Sequence, residues 1–312
     1  MAVRDVSVVG ELNLDLILYG LPEKLQLERE ILADNLSITL GSSSAIFAHN
    51  LALLGSSVGF SSSIGGDPLG EICVERLRES GVNVSGVRRF AEKTTGLSVI
   101  LPQGKERYIL TYPGTMAEMT TADLDLNYVF AAKHLHLSSY FLQKALQPGL
   151  PELFRRAKEQ GLSTSLDTND DPDSRWSDEI HALLKYVDLL LLNEHEACSL
   201  SGQSDPERAL SALAEEVATV VVKRGERGAV VRRGTQEFTA LPPKVEMVDA
   251  VGAGDSFDAG FIHQYIRGAM IQDCLRFGNA AGALSTTRAG GTEAFRDERH
   301  RLGFLRASGV GG

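Results

Sequence analysis

From residue 133 onward the chain alternates between short apolar runs and longer amphipathic ones, and this alternation constrains the fold more than any other feature. The runs 133–138, 162–167, 187–192 and 218–223 have the length and apolar content of buried strands. The segments 149–160, 177–185, 193–200 and 206–216 carry the spacing and end signals of helices. A β pair over 228–240 and two long helices, about 255–268 and 270–288, complete this part. Such alternation predicts a mainly parallel sheet with helices on both faces. Ligands of a sheet like this sit at the carboxyl ends of its strands. The polar residues found there are Asn13 and Asp15 past a first strand at 3–10, Asp167, Asn193 with Glu196, and Lys223-Arg224-Gly225.

The first third reads differently. A helix over 43–54, a strand at 57–63 and a helix over 68–80 continue the α/β pattern. The strand-like runs 14–20 and 30–40, around Pro22, and 86–111, broken at Gly96 and Gly104, suit a small sheet apart from the main one.

The stretch 249–261, Asp-Ala-Val-Gly-Ala-Gly-Asp-Ser-Phe-Asp-Ala-Gly-Phe, carries the strongest chemical signal. Gly252-Ala253-Gly254 enters a helix starting near Asp255, so unpaired N–H groups and the positive end of the helix dipole would face an anion. Asp255 at this mouth is either a helix cap or a base beside a bound phosphate. Asn13 and Asp15, two apart in an extended segment, point to one side and suit the hydroxyls of a polyol, or form a solvated turn. Asn193 and Glu196 share a helix face and could hold Mg²⁺ through water, or form a capping box.

The 249–261 stretch resembles the C-terminal signature of the PfkB, or ribokinase-type, carbohydrate kinases, with Ala250 where that family usually has Thr. Gly41-Ser-Ser-Ser-Ala-Ile-Phe-Ala-His-Asn50 is similar to its N-terminal signature. Ser42 replaces the second Gly there, and Ile46 replaces an Asn that commonly binds sugar. The resemblance, over roughly 3–295, implies a ribokinase-like three-layer α/β fold with a small β-sheet lid, one domain over 1–312 with lid strands at about 14–40 and 86–111. It implies ATP-dependent phosphorylation of a hydroxyl. Asp255 would be the base and Gly252, Ala253 and Gly254 the anion hole. Asn13, Asp15, Gly41, Ser42 and Ser43 would bind substrate, and Lys223, Gly225, Gly252, Gly254 and Asn279 would bind ATP. Asn193 and Glu196 would hold Mg²⁺, and Asp249 would mark a K⁺ site of the kind some members carry. A nucleoside kinase of the same family, and a non-catalytic sugar- or nucleotide-binding regulator, are the alternatives.

Two further expectations follow. Lid strands bearing Leu16, Leu18, Ile38, Leu40, Leu97 and Val99 on one face need cover, which family members often supply by homodimerising through the lid. Many sugar kinases of the family read Asp-x-Asn-x-Arg where this chain has Asp167-Thr-Asn-Asp170-Asp171. With two acids there, and Arg107 and Arg175 as the nearest basic candidates, the substrate is expected to be a neutral sugar or polyol.

Other classes fall away. The net charge is −10 and no Lys/Arg block occurs, which argues against a nucleic-acid partner. Cys73, Cys198 and Cys274 suit neither a disulfide framework nor a zinc site, and a cytoplasmic setting is expected. The N-terminus lacks a signal-peptide layout and no apolar run is long enough to span a membrane. Gly55-Ser-Ser-Val-Gly59 fits a nucleophile elbow in spacing, but its order is helix, turn, strand. His134 and His136 share a strand face without a third ligand, and no Walker-type phosphate loop is present.

Overall fold

The computed structural model describes residues 3–103 and 106–310; Met1, Ala2, Gly104, Lys105, Gly311 and Gly312 of the expected domain, lid and tail lie outside these. The strands are β1 Arg4–Val9, β2 Asn13–Tyr19, β3 Asn35–Leu40, β4 Val58–Gly65, β5 Asn83–Phe90, β6 Gly96–Gln103, β7 Glu106–Tyr112, β8 Ala132–Ser138, β9 Ser163–Asp167, β10 Leu189–Asn193, β11 Thr219–Lys223, β12 Ala229–Arg233 and β13 Gln236–Ala240. The helices are α1 Ser43–Leu53, α2 Pro68–Glu79, α3 Leu126–Phe130, α4 Leu150–Glu159, α5 Ile180–Leu184, α6 Glu194–Ser201, α7 Pro206–Glu216, α8 Ala253–Tyr265, α9 Ile271–Ser285, α10 Glu293–Arg296 and α11 Glu298–Ala307.

A nine-stranded sheet runs β13-β12-β11-β10-β9-β8-β1-β4-β5, parallel except for the β11-β12-β13 edge. Its central strands are apolar on both faces because helices cover both. In β10, Leu190 and Leu192 join the core beneath α4–α7, whereas Leu189 and Leu191 join the core beneath α1, α2, α8 and α9. An unbroken Leu run is what two buried faces at a period of two require. Truncating Phe154, fully buried in the first core, to Ala would cost about 3–5 kcal/mol. Helix starts follow local chemistry. The Asp67 carboxylate accepts from the Gly70 N–H at 3.0 Å, with Pro68 at the first helical position of α2, and Asp205 with Pro206 repeats the device at α7.

The second sheet, β3-β2-β6-β7, has four strands. It lacks 86–90: that segment belongs to β5 and pairs in parallel with β4 at the edge of the main sheet. Gly86 packs closely there, where a Cβ would meet Tyr128, Ser61 and the Phe60 backbone at 2.5–2.8 Å. The helix expected over 177–185 is also shorter, with only Ile180–Leu184 in α-helix. Chain order reverses between β1 and β8, which places the switch point of the sheet beside the residues following β1. Among the described residues no helix is long and apolar enough to cross a membrane.

Candidate active site

At this switch point a cleft of about 1000 Å³ opens between the main sheet, the small sheet and the N-terminal end of α8. Asn13, Asp15, Ser42, Ser43, Asn193, Glu196, Lys223, Gly225, Gly252, Ala253, Gly254, Asp255 and Asn279 line it together, although they come from segments across the whole chain. Gly41 and Asp249 do not line it.

α8 begins at Ala253, two residues before the expected start, so Asp255 lies in its first turn and the cap position is Gly252 in the left-handed region, φ 71°. A side chain at Gly252 would also meet Gly291 Cα at 2.6 Å. The turn is tied down by the Ser256 hydroxyl, which donates to Gly252 C=O at 2.7 Å, and by Asn50 Nδ2, which donates to Ser256 Oγ and to Gly291 C=O, each at 2.9 Å. Asp255 is 9 % exposed. Burial, with the nearby Asp167 charge, pushes its carboxyl up to about 7, against the pull of Lys223 and a hydrogen bond with Ser43.

The opposite wall is the small sheet. Asp15, Ser98, Ile100, Arg107, Ile109 and Thr111 face the cleft from three neighbouring strands at a period of two. Asn13 Nδ2 donates to Ser98 Oγ at 3.0 Å, while its Oδ1 is buried without a partner. That orphan acceptor is suited to a substrate hydroxyl. Burial and the Asp255 charge push Asp15 up to about 7, against the Ser98 hydrogen bond and the Arg107 charge. Gly41 acts indirectly: a Cβ there would lie 2.1 Å from Asp15 Oδ1, so glycine makes room for the carboxylate.

Glu11, which no sequence motif marks, also lines the cleft and is 1 % exposed. Its carboxylate accepts from the Ser44 N–H at 3.2 Å and from the Ser44 hydroxyl at 2.6 Å, capping α1 from the connection between β1 and β2. Burial raises its pKa. Ser42 therefore does not cap α1 with its side chain; its hydroxyl donates to Glu11 C=O at 3.0 Å. Ile46 packs against Gly252 and Gly291 and gives the cleft an apolar wall where the family signature has Asn.

At the other end Asn193 and Glu196 form a full capping box: Asn193 N–H donates to Glu196 Oε2 at 2.7 Å and Glu196 N–H to Asn193 Oδ1 at 2.9 Å. Burial and Asp167 push Glu196 up to about 8. No group of three or more His, Cys, Asp or Glu able to hold a metal occurs among the described residues. A donor set of one carboxylate and one amide fits a Mg²⁺ that keeps most of its waters and takes phosphate oxygens, not an all-protein cage. Asn279 Nδ2 donates to Ala240 C=O at 2.9 Å and so fixes α9 to β13 beside the apolar strip Leu241–Pro243. Lys223 is paired with Asp167 at 2.8 Å and Asp258 at 3.1 Å.

Several sequence-read groups lie elsewhere. The Asp249 carboxylate accepts from Val251 N–H at 3.0 Å, Gly290 N–H at 2.9 Å and Tyr19 Oη–H at 3.3 Å. The two acids expected in the cleft are not there. Asp171 is turned inward and accepts from the N–H groups of Asp173, Arg175 and Trp176 at 2.7–3.0 Å. Asp170 points to solvent, 4.0 Å from His195. The left-handed Asn169, φ 52°, redirects the chain between them and the strand. His134 and His136 are buried and hydrogen-bonded to Ser163, Ser165 and Ser138, and burial lowers both to about 3.

Comparison with known proteins agrees with this arrangement. The family model described as pfkB family carbohydrate kinase matches residues 3–298. The chain is 30% identical over 274 residues to a 2-dehydro-3-deoxygluconokinase of Bacillus subtilis, covering 83% of this chain and 84% of that protein. It is 25% identical over 311 residues to a ribokinase of Haemophilus influenzae, covering 97% and 98%. The structure of Arabidopsis thaliana ribokinase complexed with ribose and ATP superposes with a TM-score of 0.83 at 25% identity, covering 98% of this chain and 99% of that one. The switch-point cleft, the Gly-Ala-Gly-Asp turn at its centre and these likenesses together place the chain in the pfkB family, as a carbohydrate kinase.

Proposed function

We propose that this sugar kinase transfers the γ-phosphoryl group of ATP to a hydroxyl of a neutral sugar or polyol, with Asp255 as general base. The observation that carries the reading is the position of Asp255: a buried carboxylate in the first turn of α8, directly after the Gly252–Gly254 turn, inside the cleft. A pKa near 7 lets it take a hydroxyl proton at neutral pH and release it to water afterwards. The hydroxyl oxygen then attacks the γ-phosphorus and ADP leaves. The N–H groups at the start of α8 supply positive charge where the transferred group would carry negative charge.

Asn13, Asp15, Ser43 and Glu11 offer acceptors and donors for the remaining hydroxyls. Three buried carboxylates there, Glu11, Asp15 and Asp255, favour a neutral sugar, whereas Asp170 and Asp171 lie outside the cleft. Asn279, Gly225 and the Leu241–Pro243 strip suit the nucleotide, and ribose and ATP in the Arabidopsis ribokinase complex support the assignment. Asn193 and Glu196 would hold hydrated Mg²⁺, which shields phosphate charge. For Asp249, exchange of K⁺ for choline tests the cation reading, since its oxygens already accept from two N–H groups and a tyrosine.

The small sheet would act as a lid and as a dimer surface. Its outer face brings Leu36, Ile38, Tyr108, Leu110 and Tyr112, each 45–58% exposed, into one apolar patch around Leu16 and Val99. A nucleoside substrate is the second reading, favoured by the apolar wall of Ile46, Ile100 and Met116. ADP release with a panel of sugars and nucleosides separates the two, and no turnover with any of them would favour a binding protein. Asp255→Asn should retain ATP binding and lose about 10²–10⁴-fold in turnover; wild-type turnover in that variant would sink the mechanism.

A further inference from the structure

Lys223 ends β11 at the floor of the cleft, where a free ammonium would be a phosphate ligand. It is not free. Its Nζ donates to Asp167 Oδ2 at 2.8 Å and to Asp258 Oδ2 and Oδ1 at 3.1 and 3.3 Å. The three side chains are 14%, 2% and 1% exposed, respectively for Lys223, Asp167 and Asp258. Two carboxylates leave an ammonium with at most one spare N–H. Moving Lys223 toward a phosphate would strand two buried acids without a partner, a loss that one phosphate hydrogen bond does not offset.

The clamp joins three elements that carry the site. Asp167 ends β9, Lys223 ends β11, and Asp258 lies on α8 one turn after Asp255, on the same helix face. A Cβ built at Gly254 would lie 3.5 Å from Lys223 Nζ, so the ammonium packs directly under the turn that opens α8. Burial raises Asp258 well above the usual carboxylate range, while the Lys223 charge keeps Asp167 low although burial opposes it.

We infer that Lys223 is a positioning residue and not a phosphate ligand: with Asp167 and Asp258 it locks the first turn of α8, and so Asp255, onto the ends of β9 and β11. The inference rests on Asp255 being the base, and it predicts a specific kinetic pattern. A base displaced by about 1 Å loses on the order of 10²-fold in rate, while nucleotide contacts made elsewhere persist. Lys223→Met should therefore lower kcat about 10²-fold and leave KM for ATP within about 3-fold of wild type. Lys223→Arg, which keeps the charge and can bridge both acids, should recover most of that kcat. Asp258→Ala should act in the same direction, and Lys223→Met with Asp258→Ala should be no slower than Lys223→Met alone, since both break one unit.

The experiment is steady-state kinetics on the full chain, with the folded fraction set by circular dichroism and thermal melting. If Lys223→Met does not accumulate folded, Asp258→Ala carries the same test by the same split. A rise of about tenfold or more in KM for ATP with kcat retained would show a phosphate ligand and overturn the inference. Multiplying effects in the double variant, or a wild-type kcat in Lys223→Met or Asp258→Ala, would overturn it as well. Asp255→Asn, measured alongside, separates the two levels. Near-normal turnover there removes the base itself, whereas an inactive Asp255→Asn beside a fully active Lys223→Met removes only the clamp.

Discussion

Gly41→Ala is the smallest change that should cripple substrate use without touching the cleft wall. Gly41 lies at the end of β3 with its N–H donating to Asn13 C=O at 3.0 Å, and its φ is not in the left-handed region, so backbone strain is not at issue. The issue is space. The new methyl carbon would sit 2.1 Å from Asp15 Oδ1, 2.6 Å from Cγ and 3.0 Å from the Asp15 backbone nitrogen. Ordinary contact begins at 3.4 Å, so the carboxylate must retreat by about 1.3 Å. Asp15 is 6 % exposed, and the Ser98 and Arg107 groups that stabilise its charge are fixed on neighbouring strands. A displacement of that size at a positioning group costs about 10²-fold, or about 2.7 kcal/mol of transition-state binding. The loss should appear in kcat/KM for the sugar, with KM for ATP unchanged, because the clash is confined to the small-sheet side. Initial rates with each substrate varied in turn give both numbers. If kcat/KM for the sugar stays within about 3-fold of wild type in folded protein, Asp15 either does not bind substrate or is mobile enough to make the crowding irrelevant.

The remaining predictions are shorter. Burial beside the Asp167 charge pushes Asp255 up to about 7, and a base must be ionised, so with Asp255 as base kcat/KM should fall about tenfold per pH unit below that value; a profile flat down to pH 5 would exclude Asp255 as base. Asp15, Asp255 and Glu196 have folded-state pKa values of about 7, 7 and 8, above their unfolded values. Their contribution to stability is therefore fully present below about pH 4 and is lost as pH rises through 7–8, so the melting temperature of the unliganded protein should drop between pH 5.5 and 8.5; a rise over that window would show that these three do not dominate. Ile38→Asp with Leu110→Asp puts charge on the exposed face of the small sheet and should convert a dimer to monomer in light scattering, and a wild-type chain already monomeric at micromolar concentration would remove the dimer reading. Arg107 faces the cleft, so a sugar phosphate that outcompetes its neutral parent in kcat/KM, and loses that lead in Arg107→Ala, would refute the neutral-substrate reading.

Much of this is legible in the chain because it is written in local patterns. The Leu and Val runs of β10 and β11 and the caps before α2 and α7 follow from neighbouring residues alone. Gly252-Ala-Gly-Asp255 is also local, and its geometry matches the expectation apart from a two-residue shift of the helix start. What stays hidden depends on register between distant segments. Ser98 meets Asn13 across 85 residues, and nothing near either residue announces the pairing. Gly41 looks like a ligand because it sits in a motif, but its service to Asp15 emerges only when β3 lies against β2. Asp170 and Asp171 mislead for the opposite reason: position along the chain does not give direction, and one left-handed residue, Asn169, sends both side chains out of the cleft.

Glu11 and Asp258 show where the sequence holds more than its motifs. Asp258 follows Asp255 by three, so the two share a helix face once α8 is granted, and two buried acids side by side call for a counter-charge. The chain offers Lys223 at a strand end on the ligand side of the sheet, which is where that counter-charge had to come from. Glu11 follows Gly10 at the end of β1, and a Cβ at Gly10 would lie 1.9 Å from the Ser44 hydroxyl that donates to Glu11. Glycine there lets α1 approach the strand end closely enough for a buried carboxylate to cap it. A charged residue at a buried strand end is costly unless paired. Its presence in a stretch as apolar as Val8 to Leu18 is therefore a signal of a helix terminus or a polar cleft close by, and Glu11 both caps α1 and lines the cleft.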